Sequence, residues 1–135
     1  MPTTRTDTAP IRSDEDVVRV RQKVRQWATE LSFSLVEQTK VVTAASELAR
    51  NTLIYGGGGD LTLEMLAEGT RRKGLRLTFE DNGPGIPDLE RAMTDGYTTG
   101  DGLGLGLSGA KRLSNEFEIH SEVGVGTRIT ITRWK

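Results

Sequence analysis

The sequence contains no cysteine and one histidine among its 135 residues. No disulfide, thiolate nucleophile or cysteine-ligated zinc can form, and one imidazole cannot by itself supply a histidine-based metal site. No apolar run approaches the roughly 20 residues a membrane-spanning helix needs. The opening segment MPTTRTDTAP lacks the apolar core of a secretion signal and reads as a frayed polar arm. There is no excess charge of one sign either: 18 Lys plus Arg face 19 Asp plus Glu, for a net charge of −1. No global basic field draws such a chain to nucleic acid or anionic lipid. These absences point to a cytoplasmic protein with neither nucleic acid nor membrane as partner. Two phosphoryl-transfer signatures are missing as well. No glycine loop is followed by Lys and Ser or Thr, as a Walker A loop requires, and the protein-kinase catalytic-loop signatures do not occur.

What is present suits one modest core, since 35% of the residues are hydrophobic. Residues 1–12 read as a flexible N-terminal arm or an edge strand, and residues 13–135 as a single domain. Ser13 followed by Asp14, Glu15 and Asp16 has the form of a helix N-terminus. Val17, Val20, Val24, Trp27, Ala28 and Leu31 then recur at helical spacing over 14–31. A capping box, Ser34-Leu35-Val36-Glu37, opens a second helix whose stripe is Val41, Val42, Ala45, Leu48, Ala49, Thr52 and Leu53, ended by Gly56-Gly57-Gly58-Gly59. The period then becomes two. Leu61, Leu63, Met65 and Ala67 form one strand face, and Leu75, Leu77 and Phe79 another beyond a polar turn at 69–74, which predicts a hairpin. Residues 81–106 are glycine-rich, with a short helical pattern near 88–94, and read as a binding loop. Leu107, Ala110, Leu113 and Phe117 suggest a third helix, followed by strands 117–123 and 127–134 joined at Gly124-Val125-Gly126. Helix, helix, hairpin, loop, helix, hairpin predicts helices covering one face of a largely antiparallel sheet.

Three groups could carry chemistry. Glu47 and Asn51 lie one turn apart on one helix face, where a carboxylate can take a proton and an amide oxygen can ligate Mg²⁺. An ordinary exposed helix pair is the plain alternative. Asp81 follows Leu75, Leu77 and Phe79 in alternation, so its carboxylate points to the apolar face and needs donors there. These could be a ligand's amino group and backbone N–H groups of Asn82-Gly83-Pro84-Gly85, or Asp81 could simply cap that turn. Gly102-Leu103-Gly104-Leu105-Gly106-Leu107 runs straight into helix three, leaving free N–H groups suited to phosphate. The dinucleotide fingerprint that Gly104, Gly106 and Gly109 match is rejected, because residues 95–101 do not form the strand it requires. His120 alternates outward as a surface residue, Trp27 belongs to the core, and Trp134 and Tyr97 have no assignable role.

The three groups occur in one order: Glu-x-x-x-Asn on a helix, Asp-x-Gly-x-Gly closing a strand, and a second glycine box opening a helix. In this the chain resembles the GHKL (Bergerat-fold) ATP-binding family over about residues 8–134. The runs Ser46-Glu47-Leu48-Ala49-Arg50-Asn51 and Asp81-Asn82-Gly83-Pro84-Gly85-Ile86-Pro87-Asp88 are similar to the stand-alone anti-sigma-factor serine/threonine kinases of bacteria. So are Gly96-Tyr97-Thr98-Thr99 and Lys111-Arg112-Leu113, on either side of the second box. The resemblance implies an α+β two-layer sandwich with helices on one face of a mostly antiparallel mixed sheet, and ATP with Mg²⁺ as cofactors. By it, Asp81 would hold the adenine amino group, with Thr127 nearby through water, and Gly83 and Gly85 would admit the base. Asn51 would ligate Mg²⁺, Glu47 would be general base toward a partner's serine, and the 95–106 lid with Gly102, Gly104, Gly106 and Leu107 would close over the phosphates. Related kinases often carry a basic residue where this chain has Gly100-Asp101. Lys111 or Arg112 could substitute, or could be plain solvent-facing charges.

The function so implied is an ATP-dependent protein-serine/threonine kinase, a partner-switching regulator of a bacterial stress or sigma-factor pathway that phosphorylates a STAS-domain antagonist. The alternative is a nucleotide-binding module that sequesters a sigma factor or activates a metal-dependent serine phosphatase. A homodimer is compatible with either. An energy-transducing ATPase is disfavoured, because no transducer domain follows residue 135. In resembling kinases the first helix touches the partner, which gives Arg19, Arg21, Lys23 and Arg25 a candidate role beside that of a solvated face.

Overall fold

In the computed structural model, residues 3–69, 72–86 and 106–135 are described. Five strands, β1 (Thr3–Ile11), β2 (Gly59–Glu68), β3 (Arg72–Asp81), β4 (Glu116–Glu122) and β5 (Gly126–Trp134), form one sheet in the order β1-β2-β3-β5-β4. Every neighbouring pair is antiparallel, so the mixed character expected of the sheet is not seen among the described strands. Helices α1 (Asp14–Glu30), α2 (Leu35–Ile54) and α3 (Gly106–Arg112) complete the two-layer α+β sandwich.

The helices begin where their caps lie. Asp16 N–H donates to Ser13 Oγ at 3.2 Å. At α2 the capping box closes reciprocally, Glu37 N–H to Ser34 Oγ at 3.1 Å and Ser34 N–H to Glu37 Oε1 at 3.0 Å. The stripes Val17, Val20, Val24, Trp27 and Ala28 of α1 and Val41, Val42, Ala45, Leu48 and Ala49 of α2 are buried against Leu61, Leu63, Leu75, Leu77, Phe79, Ile129 and Ile131 of the sheet. This apolar exclusion of water between the layers is the main source of their cohesion.

Strand register arranges the helix-covered face in rows. Asp7, Leu63, Leu77, Ile131 and Phe117 lie side by side across the five strands, as do Ala9, Leu61, Phe79, Ile129 and Ile119. The next row, at one end of the sheet, is Ile11, Gly59, Asp81, Thr127 and Ser121. There the face turns from apolar to polar. On the opposite face Thr8, Thr62, Thr78, Thr130 and Glu118 form a polar row.

Three local expectations are revised. The frayed-arm reading of the N-terminus gives way to the edge strand over Thr3–Ile11. Two of its inward residues are charged: Arg5 donates from Nη1 to Glu30 Oε2 at 2.7 Å and its Cζ lies 4.3 Å from the Trp27 ring centre, while Asp7 pairs with Lys23 of α1. Inward charge on an edge strand also discourages stray pairing with other chains. Phe117, expected at the end of helix three, is on β4, because α3 stops at Arg112. Trp134 acquires a place on the outer face, against Gly74 and under Arg72 at 3.9 Å, with Nε1–H donating to Glu116 Oε2 at 2.6 Å. Trp27 is buried and His120 exposed, as expected.

Candidate nucleotide site

The site grows from the polar row. Asp81 ends β3 with its side chain on the core face, half-buried, directly opposite Thr127 of β5. Its Oδ1 accepts the Gly83 N–H at 2.9 Å. The turn-capping alternative is therefore true of one oxygen. The other, Oδ2, has no hydrogen-bond partner among the described residues and remains available to a donor.

Glycines bring the backbone close on both sides of that carboxylate. The end of α2 lies against Asp81 so tightly that a Cβ on Gly56 would sit 2.4 Å from Asp81 Cγ, and a Cβ on Gly83 would sit 2.8 Å from Gly56 Cα. Gly85 has φ +78°, and a Cβ there would lie 2.5 Å from the Glu122 carbonyl oxygen. The turn after Asp81 thus docks on the β4–β5 hairpin, where Gly124 N–H donates to Pro84 O at 2.9 Å and Ile86 N–H to Ser121 Oγ at 2.7 Å. Ser121 Oγ is in turn 2.9 Å from Thr127 Oγ1 and 3.3 Å from Gly126 O.

Helix α2 carries the other two predicted residues to the same end of the molecule. Asn51 is half-buried, and its carbonyl accepts the N–H groups of Tyr55 at 2.9 Å and Gly56 at 3.3 Å where the helix stops. Glu47, one turn earlier, is exposed and makes no hydrogen bond or ion pair among the described residues. Gly106 opens α3, and Leu107 is buried in the core at 5% exposure, so any nucleotide contact from Leu107 must come from its backbone. Lys111 and Arg112 of α3 are exposed. Gly102 and Gly104, the Gly100-Asp101 departure, Tyr97, the 88–94 helix and the rest of the 95–106 lid lie outside the described residues.

The structure therefore gathers Asn51, Asp81, Gly83, Gly85 and Thr127 at one end of the sheet, with Glu47 at the exposed margin. Sequence reasoning missed the close approach of Gly56 to Asp81 and missed Ser121 altogether. Gly56 had a signal, standing first in the glycine run after Asn51. Ser121 had none, since its link to Thr127 exists only in the β4–β5 register.

The carboxylates held below their ordinary range lie elsewhere and serve the fold. The hydrogen bond from Lys23 lowers Asp7, the Arg12 N–H lowers Asp16, and the Ser34 N–H lowers Glu37. No group of three or more His, Cys, Asp or Glu able to hold a metal occurs among the described residues. One amide oxygen beside substrate phosphates is nonetheless an adequate protein contribution for Mg²⁺, which keeps most of its shell as water and phosphate.

A half-buried carboxylate, a hydroxyl-bearing residue directly opposite it across the strand pair and glycines that approach the backbone closely thus stand together at this end of the sheet. The fold around it is the α+β sandwich of GHKL ATPases. Residues 36–135 match the sequence profile of the histidine kinase-, DNA gyrase B-, and HSP90-like ATPases, and the chain belongs to that family, among its serine/threonine-protein kinases. It is 46% identical to the serine/threonine-protein kinase RsbT of Bacillus subtilis over 124 residues, which are 92% of each protein. An anti-sigma F factor of Clostridium kluyveri is 29% identical over 84% of this chain and 82% of that one. Among solved structures, the RsbU and RsbW domains of a Mycobacterium tuberculosis protein superpose with a TM-score of 0.62 at 18% identity. That superposition covers 96% of this chain and 32% of the other, and it shows a shared fold.

Proposed function

We propose that this chain is an ATP-dependent protein-serine/threonine kinase that switches partners by phosphorylating a serine on a STAS-domain antagonist. In this reading residues 13–135 act as one nucleotide-binding domain, with β1 as its edge strand. The observation that carries the proposal is the placement of Glu47. An exposed carboxylate with no hydrogen bond or ion pair among the described residues sits one helical turn from half-buried Asn51, on the helix whose end abuts Asp81. A base that faces solvent can reach a hydroxyl presented by another protein. The kinship with RsbT and with an anti-sigma F factor supports the same class of reaction.

Bound ATP supplies the phosphoryl group, and Mg²⁺ offsets charge on its phosphates. Asp81 Oδ2 accepts a hydrogen bond from the adenine amino group, Thr127 lies beside the same edge of the base, and Gly83 and Gly85 let it approach the backbone. Gly102, Gly104, Gly106 and the backbone of Leu107 belong to the phosphate side, and Asn51 offers its amide oxygen to Mg²⁺. Glu47 takes the proton from the partner's serine as the new bond from serine oxygen to the γ-phosphorus forms and the bond to the departing ADP breaks. The protein acts in the cytoplasm, as a monomer or homodimer. A sigma factor or a metal-dependent serine phosphatase is the further partner that the switch releases or engages. No helix among the described residues is long and apolar enough to cross a membrane.

The test joins a melt to a transfer assay with a purified STAS-domain protein. Mg²⁺ and ADP should raise the melting temperature of the wild type but not of Asp81→Asn, because only the folded state binds. Glu47→Gln should keep that shift and lose transfer by roughly 10²–10⁴-fold. Undiminished transfer by Glu47→Gln removes it as base. A nucleotide-induced shift without phosphoserine in any partner tried would instead identify a nucleotide-binding module that works by sequestration.

A further inference from the structure

We infer that Asn82 is a site of spontaneous deamidation which the fold holds in check, with the hydrogen bond from Gly83 N–H to Asp81 Oδ1 as its guard.

The sequence holds three asparagines, and Asn82 alone precedes a glycine, since Thr52 follows Asn51 and Glu116 follows Asn115. An asparagine before glycine is the pairing most open to ring closure, because no Cβ shields the attacking nitrogen and the backbone turns freely. The Gly83 nitrogen gives up its proton and bonds to Asn82 Cγ, the carboxamide nitrogen leaves as ammonia, and a cyclic succinimide results. Water then opens the ring at either carbonyl. The products are aspartate and an isoaspartate whose main chain runs through the former side chain. In sum, asparagine and water give a carboxylic acid and ammonia, with water as the co-reactant and no change of oxidation state.

The two reacting groups are held very differently. Asn82 is exposed, and its side chain makes no hydrogen bond among the described residues, so the carboxamide can swing over its own backbone. Gly83 N–H, in contrast, is engaged by Asp81 Oδ1 at 2.9 Å. Attack requires that proton to leave, which develops negative charge on nitrogen within hydrogen-bond distance of a carboxylate. Like charges so close oppose it. Packing adds to the restraint, since a Cβ on Gly83 would lie 2.8 Å from Gly56 Cα at the end of α2. The residues beyond are pinned to the β4–β5 hairpin through Pro84 O and Ile86 N–H. Ring closure therefore waits on local opening of the turn, and its rate follows the population of the open form.

Isoaspartate does not fit this turn. It adds a methylene to the main chain between Asp81, fixed by pairing with Thr127, and residues 83–86, fixed by the contacts on α2 and the hairpin. Conversion thus breaks up the Asp81-x-Gly83-x-Gly85 box. That an aged molecule should also lose its melting response to Mg²⁺ and ADP rests on the nucleotide-base reading of Asp81; the deamidation itself does not.

The test incubates the full chain in mildly alkaline buffer and follows the tryptic peptide 77–91 by mass spectrometry, for replacement of the carboxamide NH₂ by OH. The native wild type should react more than roughly tenfold slower than the same chain unfolded in guanidinium chloride. Asp81→Ala, shown to be folded by its thermal melt, should react at least roughly tenfold faster than the native wild type, because a hydrogen bond to a charged acceptor is gone. Asp81→Asn, which keeps an uncharged oxygen at that position, should fall between the two and carries the test if Asp81→Ala does not fold. Equal rates in native and unfolded wild type overturn the inference. So does a wild-type rate in the folded variants. Neither rate involves a nucleotide, so a failure of the nucleotide-base reading would appear separately, as an ADP melting response that survives full conversion of Asn82.

Discussion

A methyl group on Gly56 would lie 2.4 Å from Cγ and 2.6 Å from Oδ2 of Asp81, the oxygen with no hydrogen-bond partner among the described residues. Neither side can move freely. Gly56 is tied to the end of α2 by its N–H on Asn51 O, and Asp81 is held by Gly83. Gly56→Ala should therefore push the carboxylate out of position, and overpacking of this kind costs about 1–3 kcal/mol. The expected outcome is a fall of at least roughly tenfold in ADP affinity by displacement titration, with the fold retained in the thermal melt. Unaltered affinity would show that the pocket is wider than this contact implies. At this scale the sequence is informative wherever a residue type is forced by local chemistry. Asp81 could be placed on the core face because strand alternation leaves no choice, and Glu47 and Asn51 on one helix face because the helical period leaves none either. Ser121 has no local mark. Its partners, Ile86 and Thr127, reach it through strand register and the docking of a turn.

Among the elements, α2 is the one on which the site depends most, since its first turn is capped and its last turn meets Asp81. Ser34→Ala removes the side-chain acceptor of the Glu37 N–H and should lower stability by about 1 kcal/mol in denaturant unfolding. Glu37 makes the cap pH-dependent. Its carboxylate is held below the ordinary glutamate value, chiefly because it accepts the Ser34 N–H. A group whose pKa is depressed in the folded state contributes stability above its unfolded pKa and loses it as the pH falls through the folded value. Wild-type melting temperature should thus fall more steeply than that of Glu37→Gln below about pH 4.3, the ordinary glutamate value. Parallel curves would contradict the linkage. Both caps of the long helices were legible in the sequence. Strand β1 was less so, because two of its inward positions are Arg5 and Asp7, ahead of Ala9 and Ile11, where an unbroken apolar alternation would normally reveal a strand. Those charges have partners only because α1 lies across the strand, so the signal that makes them inward residues belongs to the packing.

For the whole molecule, the distribution of charge matters more than its sum. Of the four basic residues crowded on α1, Arg19 is bound to Asp16 at 2.8 Å and Lys23 to Asp7 of β1. Arg21 and Arg25 are exposed and make no ion pair among the described residues. If α1 is the surface that meets a partner, the free pair should carry the attraction. Arg21→Ala with Arg25→Ala should weaken capture of a STAS-domain partner roughly tenfold at low salt and slow its association, whereas Arg19→Ala should do little. Equal effects would assign the surface elsewhere.

The sequence by itself determined the helices α1 and α2 and their caps, the pairing of β2 with β3, the sided burial of the core, and the residue types at the Glu-x-x-x-Asn and Asp-x-Gly-x-Gly boxes. All of these follow from interactions a few residues apart or from the alternation of polar and apolar side chains. Only the tertiary structure decided that Thr3–Ile11 is an edge strand, that Trp134 is buried on the outer face, and that one row joins Asp81, Thr127 and Ser121. Each of those depends on strand order and register across the sheet, set by the summed packing of distant segments that no local period records.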